Sequence, residues 1–148
     1  MKIEEIKIKL LDENAKLPTY GTEYAAGCDL YALSSESIVI KPSETKLIKT
    51  GVAVEIPTGY VGLIYARSGL ASKRGLAPAN KVGVIDSDYR GELMVALHNH
   101  TNEEKEIEAY ERIAQLVIAP YIKADFKVVD ELLDTNRGDK GFGSTGKK

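Results

Sequence analysis

An aromatic ring and an arginine lie among several glycines near the end of the chain. Arg137 begins the segment 137–146, Phe142 is its only large apolar residue, and Ser144 and Thr145 add hydroxyl groups. Glycine lets backbone amides come close to an anion, but a segment so rich in glycine loses too much conformational entropy to fold alone. We therefore predict a lid that orders over a phosphate-bearing ligand and lays Phe142 on its base. A disordered tail, common for glycine-rich termini, is the alternative.

A second candidate site for an anion follows a predicted strand. Arg67, Ser68 and Gly69 bring a guanidinium group, a hydroxyl group and free backbone N–H groups to the start of a predicted short helix. Such groups bind phosphate. A capped helix with a surface arginine explains the same residues equally well, and Lys73 and Arg74 nearby favour the anion site.

Carboxylates supply the candidates for proton transfer and metal binding. Asp86 lies at the tip of a predicted tight hairpin over residues 83–91, where it could orient a water beside the flat ring of Tyr89, although a turn residue is the commoner role of Asp there. Asn80, just upstream, has an amide donor and acceptor that could pair with a base edge. Asp29 directly precedes a predicted strand, where it could cap, pair with an arginine, hold a metal-bound water or simply shape a turn.

Short strands must position these groups. Only residues 68–74 indicate a helix, with Ser68 as a possible N-cap. Many short strands separated by turns are typical of an all-β sandwich or jelly roll. Alternating or β-branched residues predict strands over residues 3–10, 37–40, 45–56, 60–65, 93–99, 113–118 and 126–129.

Length and charge limit the kind of protein. The 148 residues suit one domain, with a core over about residues 1–133 and a flexible glycine-rich arm over residues 134–148. A net charge of −2 argues against general electrostatic binding to nucleic acid or to an anionic membrane, and no apolar run reaches membrane-spanning length. The single Cys28 excludes an internal disulfide, and the charged sequence after Met1 predicts a cytoplasmic protein. His98 and His100 alternate along a predicted strand and lack a third ligand, so we interpret them as structural.

Five segments in order resemble a known family. Residues 26–32, 67–80, 83–91, 112–116 and 137–146 are similar to the five motifs of the trimeric dUTP pyrophosphatases, and the resemblance spans residues 26–146. It implies a distorted jelly-roll subunit, often called a β-clip fold, with one short helix. It also implies a homotrimer whose active sites are shared between subunits and whose C-terminal arm crosses to a neighbour.

The resemblance further implies the hydrolysis of dUTP to dUMP and pyrophosphate, which limits uracil incorporation into DNA and supplies dUMP for thymidylate synthesis. Asp86 would activate the attacking water, and Mg²⁺ would gather the triphosphate oxygens while Asp29 holds a metal-bound water. Tyr89 would pack under the deoxyribose and exclude a ribose hydroxyl. The other implied substrate-binding residues are Arg67, Ser68 and Gly69 for the phosphates, Gln115 for a phosphate or the attacking water, Asn80 and the Gly83 and Ile85 backbone for uracil with Val84 between them, and Arg137, Phe142, Gly143, Ser144 and Thr145 in the closing arm.

Three other interpretations compete with this one. A dCTP deaminase would share the fold and the trimer, but its arm lacks the pattern seen over residues 137–146, and the sequence offers no positioned glutamate for deamination. A regulatory trimer that only binds dUTP would have lost the catalytic acid, whereas Asp86 is present. A purely structural β trimer with a disordered tail does not account for all five segments.

Overall fold

The computed structural model describes residues 4–142, and short β-strands make up almost all of its regular structure. This confirms the predicted all-β class with one short helix. The elements of this part of the chain are β1 (Lys7–Leu10), β2 (Thr19–Tyr20), β3 (Cys28–Tyr31), β4 (Ile38–Ile40), β5 (Thr45–Lys49), β6 (Val52–Glu55), β7 (Tyr60–Tyr65), α1 (Ser68–Arg74), β8 (Leu76–Pro78), β9 (Gly83–Ile85), β10 (Met94–Asn99), β11 (Lys105–Ile107) and β12 (Arg112–Pro120).

The strands form antiparallel sheets in which most neighbouring strands are distant from each other in sequence. The largest sheet has the order β2-β3-β12-β7-β9, and a second sheet has the order β5-β10-β8. Two further pairs join β1 to β6 and β4 to β11. Because most neighbours in these sheets are not consecutive along the chain, distant motifs are brought side by side, and this arrangement positions the candidate site.

The core contains the inward-facing side chains of these sheets. Leu30, Leu97 and Ile113 are at most 1% exposed, and full burial of such a side chain contributes roughly 1.5–3 kcal/mol. Cys28 belongs to the same cluster, and its Sγ donates a hydrogen bond to the Leu116 carbonyl at 3.3 Å. Desolvation raises the pKa of the Cys28 thiol, so the cysteine packs in the core as a protonated side chain.

Helix α1 covers the residues that the sequence predicts, but its first turn differs. Arg67, in extended conformation, is the N-cap residue and makes no side-chain cap hydrogen bond, so Ser68 is the first helical residue and the predicted capping role is wrong. Gly75 ends the helix in the left-handed region at φ 65°. A Cβ at Gly75 would lie 2.4 Å from the Thr101 methyl group, so this position requires glycine for both space and conformation.

Several predicted elements differ in the structure. The predicted strand 45–56 is two strands, because Gly51 turns the chain at φ 73°. Residues 83–91 do not form a hairpin, since β9 pairs with β7 in the large sheet while the next strand, β10, pairs with β5 and β8 in the other. The predicted strand 126–129 is absent, and every residue from 121 to 140 is exposed. Among the strands of residues 4–142, none pairs with this segment.

The first predicted strand is also shorter than the sequence suggests, since β1 begins at Lys7 and Ile3 lies outside the described residues. Over residues 4–142, the only helix is far too short to cross a membrane.

Candidate active site

The register of the large sheet aligns three of the predicted site segments. Gln115 on β12 pairs with Asp29 on β3 on one side and with Tyr65 on β7 on the other. Arg67 follows Tyr65 by two residues and leads into helix α1. The Gln115 side chain also donates from Nε2 to the Ala66 carbonyl at 2.8 Å. Candidate residues from three distant parts of the chain therefore meet at one end of this sheet.

Asp29 is the centre of a charged cluster at that end. Its Oδ1 accepts a hydrogen bond from Arg67 Nε at 2.8 Å, and its Oδ2 accepts one from Arg112 Nη1 at 3.2 Å. The Asp29 side chain is only 12% exposed, whereas Arg67 and Arg112 are 29% and 49% exposed. Two guanidinium groups around one carboxylate leave a net positive charge that faces solvent. We call Asp29, Arg67 and Arg112 the Asp29 cluster.

Ser68 and Gly69 lie beside this cluster in the first turn of α1, and both are exposed. The first N–H groups of a helix have no partners within the helix. Together with the Ser68 hydroxyl group and the two arginines, they make this end of the sheet suited to an anion with several oxygens. The structure therefore brings together Asp29, Arg67, Ser68, Gly69 and Gln115.

A second group of predicted residues surrounds a shallow pocket of about 240 Å³ beside β9. Asp86 is exposed at its edge and follows the last residue of the strand. The Tyr89 ring forms one wall, where its hydroxyl donates to the Glu92 carbonyl at 2.9 Å and its N–H donates to the Asp86 carbonyl at 3.1 Å. The complete lining is Leu47, Val84, Ile85, Asp86, Tyr89, Glu92 and Met94.

The Tyr89 ring is held in place by close packing as well. A Cβ at Gly91 would lie 2.4 Å from the Tyr89 hydroxyl oxygen, so any larger residue there would displace the ring. Gly83 is also tightly packed, since a Cβ there would lie 3.2 Å from Ile64 and 3.5 Å from the Asn80 amide nitrogen. Asn80 is thus next to the β9 backbone, at a position where its side-chain amide remains exposed.

Three residues that line this pocket were missed by the sequence analysis. Leu47 lies on β5, and Glu92 and Met94 lie just before and at the start of β10. Leu47 and Met94 look like ordinary strand residues in the sequence. Their unusual exposure, 63% and 37%, becomes visible only after folding.

The Asp29 cluster and the Asp86 pocket are well separated within one subunit. Two strands, β12 and β7, lie between β3 and β9. Asp29 is level with Tyr65, whereas Ile85, next to Asp86, is level with Gly62. Strand spacings of ~4.8 Å and a rise of ~3.4 Å per residue place the two carboxylates on the order of 20 Å apart. Within this chain, the two groups are too far apart to contact one small ligand atom together.

The predicted arm contacts neither group within the described residues. Arg137 Nε donates to the Lys140 carbonyl at 2.9 Å within a local turn, and the Phe142 ring is fully exposed. Gly143, Ser144 and Thr145 lie outside the described residues. Within residues 4–142, Arg137 and Phe142 therefore contact neither group, and the roles of all five arm residues stay predictions.

The side chains of the described residues offer few ligands to a metal ion, so water and substrate would have to supply most of its coordination. Over residues 4–142, no three His, Cys, Asp or Glu side chains are grouped to hold a cation. Each Asp29 oxygen already accepts an arginine N–H but keeps a further lone pair. Mg²⁺ usually keeps several waters and binds substrate phosphates rather than an all-protein cage. Asp29 fits such an ion through an intervening water.

His98 and His100 are close to each other, with ring centroids 4.5 Å apart. His98 Nδ1 is hydrogen-bonded to the Thr45 hydroxyl at 2.8 Å, which joins β10 to β5. Partial desolvation, and then the nearby His98 and Lys81, lower the pKa of His100. These contacts agree with a structural role.

Gly27→Ala should destabilise the protein by about 1–3 kcal/mol, the usual cost of overpacking. A Cβ at Gly27 would lie 2.3 Å from Gln115 Oε1 and 3.2 Å from Gln115 Cβ, so the glutamine would have to move and lose its bond to Ala66. Denaturant unfolding at fixed protein concentration measures the effect. Gly21→Ala is the matched control, because nothing lies within 4 Å of its Cβ position. Equal losses for the two variants would contradict this packing argument.

Comparison with known proteins is consistent with these features. The dUTPase family model matches residues 13–146. The chain is 54% identical to a deoxyuridine 5'-triphosphate nucleotidohydrolase of Nautilia profundicola over 97% of this chain and 99% of the relative. It is 45% identical to one of Neisseria meningitidis serogroup B over 96% and 97%. Among solved structures, a mutant dUTPase of Staphylococcus bacteriophage 80alpha with dUpNHpp superposes with a TM-score of 0.88, at 35% identity over 97% of this chain and 99% of that chain.

Proposed function

The chain belongs to the dUTPase family and is an enzyme that hydrolyses dUTP, and we propose that a water activated by Asp86 attacks the α-phosphorus to release dUMP and pyrophosphate. The family match over residues 13–146 carries the activity. The exposed Asp86 carboxylate beside the anchored Tyr89 ring supports the assignment of the base. Pyrophosphate release from dUTP, compared with ammonia release from dCTP, tests the activity directly.

The proposed hydrolysis transfers one proton and exchanges one bond to the α-phosphorus for another. The Asp86 carboxylate accepts a proton from the water as the water oxygen bonds to the α-phosphorus. The bond from the α-phosphorus to the bridging oxygen of the β-phosphate then breaks, and pyrophosphate leaves. Because phosphoryl transfer depends mainly on positioning and charge stabilisation, no covalent nucleophile is needed.

The Asp86 pocket would recognise the nucleoside. We assign uracil to the Asn80 amide and to the β9 backbone at Gly83, Val84 and Ile85, where Gly83 packs closely against Ile64 and leaves little room for a side chain. Tyr89 would lie under the deoxyribose. A ring fixed by its bond to the Glu92 carbonyl cannot easily move aside, so a ribose 2'-hydroxyl would be excluded.

The Asp29 cluster and the neighbouring helix start would bind the triphosphate. Arg67, Ser68, Gly69 and Gln115 all lie at this end of the large sheet, and the cluster carries a net positive charge. The family generally uses a divalent metal. We propose Mg²⁺, which would neutralise charge on the phosphate oxygens, with Asp29 binding it through water.

A homotrimer with shared sites would unite the two groups. The separation of about 20 Å between Asp29 and Asp86, derived from strand spacing, supports the idea that one subunit contributes the phosphate site and a neighbour contributes Asp86. The exposed segment 121–140 supports an arm that leaves its own subunit. On the arm, Arg137 would reach the γ-phosphate and Phe142 the uracil face, with Gly143, Ser144 and Thr145 closing the site. A cytoplasmic location stays a prediction from the sequence.

Light scattering should give a mass near three times the 16.2 kDa of one chain. A monomer at micromolar concentration would contradict the trimer. Site sharing can be tested by coexpressing Asp86→Asn chains with Arg67→Ala chains, each of which we expect to be strongly impaired alone. If Arg67 and Asp86 act across an interface, random mixing in a closed trimer restores about a quarter of the sites. Activity no higher than that of either parent would show that each site lies within one subunit.

A further inference from the structure

Asp29 joins two arginines that come from different elements. Arg67 precedes helix α1 and Arg112 begins β12, and each donates to a different oxygen of the Asp29 carboxylate, at 2.8 and 3.2 Å. The carboxylate is 12% exposed and both guanidinium groups are more exposed than it is. The Asp29 carboxylate thus lies beneath the two guanidinium groups, on the inner side of the cluster.

This geometry leaves most of the guanidinium donors free. An arginine has five N–H donors, and the hydrogen bonds to Asp29 use the Nε–H of Arg67 and one N–H of Arg112 Nη1. The remaining donors are on the more exposed groups. Two arginines this close would repel each other and sample many side-chain conformations without an anion between them, because long side chains lose considerable entropy when they are held in one conformation.

We propose that Asp29 is a positioning residue for the triphosphate, which holds Arg67 and Arg112 side by side before the substrate arrives. This inference rests on the proposed function. It differs from a role in holding metal-bound water, because it acts through the arginines and requires no metal. Preorganised donors bind a ligand more tightly because less side-chain freedom is lost on binding.

The test is calorimetric binding of dUpNHpp to the full chain, with EDTA and with Mg²⁺. We expect Asp29→Asn to weaken binding at least tenfold under both conditions, because the amide is uncharged and its NH2 group, which can only donate, would face one of the two guanidinium groups. In an Arg67→Ala background, the same substitution should weaken binding less than threefold, since one of the two positioned side chains is already gone. Loss of affinity only with Mg²⁺, equal losses in both backgrounds, or no loss would overturn the proposal.

Glu111→Gln is the matched control. Glu111 pairs with Arg74 at the other end of α1, and this ion pair is also partly buried. The variant should bind dUpNHpp within twofold of the wild type. A loss as large as that of Asp29→Asn would mean that any broken ion pair near α1 disturbs the site, and would overturn the proposal.

A measurement on the wild type avoids dependence on the folding of variants. In the ligand-free protein, the NMR signal of the Arg67 Nε–H should be distinct and slow to exchange with water, because that hydrogen is bonded to Asp29. A rapidly exchanging signal would overturn the proposal. Wild-type hydrolysis of dUTP, assayed in parallel, distinguishes a failure of the proposed function from a failure of the positioning role of Asp29. Absence of hydrolysis rejects the proposed function, whereas normal hydrolysis with a mobile Arg67 rejects only the positioning role.

Discussion

Asp86→Asn should lower the turnover of dUTP by a factor on the order of 100 to 10,000, the range expected when a general base is removed. The amide keeps the size of the carboxylate and much of its hydrogen bonding but cannot accept the proton of the attacking water. The side chain is exposed at the edge of its pocket, so the fold should tolerate the change. Binding of dUpNHpp should persist, and the loss should therefore appear in kcat rather than in KM.

Asp88→Asn is the control for loss of charge in the same loop. Asp88 is also exposed, but it lines a different groove with Ser87 and Arg90, whereas Asp86 lines the pocket beside Tyr89. We therefore expect Asp88→Asn to keep most of the turnover. If the Asp88 variant loses turnover while the Asp86 variant keeps it, the assignment of the base is wrong even though the family is right.

Short sequence patterns correctly predicted those elements whose ends are set by neighbouring residues. The strand Tyr60–Tyr65 and the helix Ser68–Arg74 have the bounds that the sequence predicts. The helix is short because Gly75 adopts the left-handed conformation that ends it. The general positions of the site segments followed from resemblance to a family, because motifs in order carry information that single residues do not.

Long-range pairing could not be predicted in the same way. Asp29 and Arg112 are 83 positions apart in sequence, and their contact depends on the register of β3 against β12. The loop after Ile85 resembled a hairpin because local turn residues do not reveal which sheet receives the next strand. Leu47 was overlooked for the same reason, since its exposure beside the pocket depends on how β5 packs.

The segment 126–129 shows a second reason why a sequence pattern can fail to predict the structure. Its alternating residues do predict a strand, yet Phe126 and Val128 are more than nine-tenths exposed in this subunit. An alternating pattern indicates that a segment can pair as a strand, but it does not indicate which chain supplies the partner strand. We therefore interpret this failed prediction as a sign of a partner outside the subunit, which agrees with the proposed trimer.

Deleting residues 137–148 should remove most dUTP turnover and leave the β core folded. Arg137 and Phe142 make no contact with the Asp29 cluster or the Asp86 pocket within the described residues, and the segment up to residue 140 is exposed, so the core loses little buried area. The substrate, in contrast, would lose the proposed γ-phosphate contact of Arg137 and the cover that excludes water from the reacting centre. Turnover assays and thermal unfolding of the shortened chain measure the two expectations separately.

Phe142→Ala separates the ring from the rest of the arm. A ring that stacks on a base contributes roughly 1–3 kcal/mol, which corresponds to about fivefold to 150-fold in binding. Because the ring is fully exposed in the subunit, its removal should leave the unfolding free energy of the core unchanged. A Phe142→Ala variant with wild-type affinity for dUpNHpp would mean that the ring does not stack on uracil. A shortened chain with unchanged turnover would remove the basis for the lid altogether, and would require the Asp86 pocket and the Asp29 cluster to suffice for catalysis without the arm.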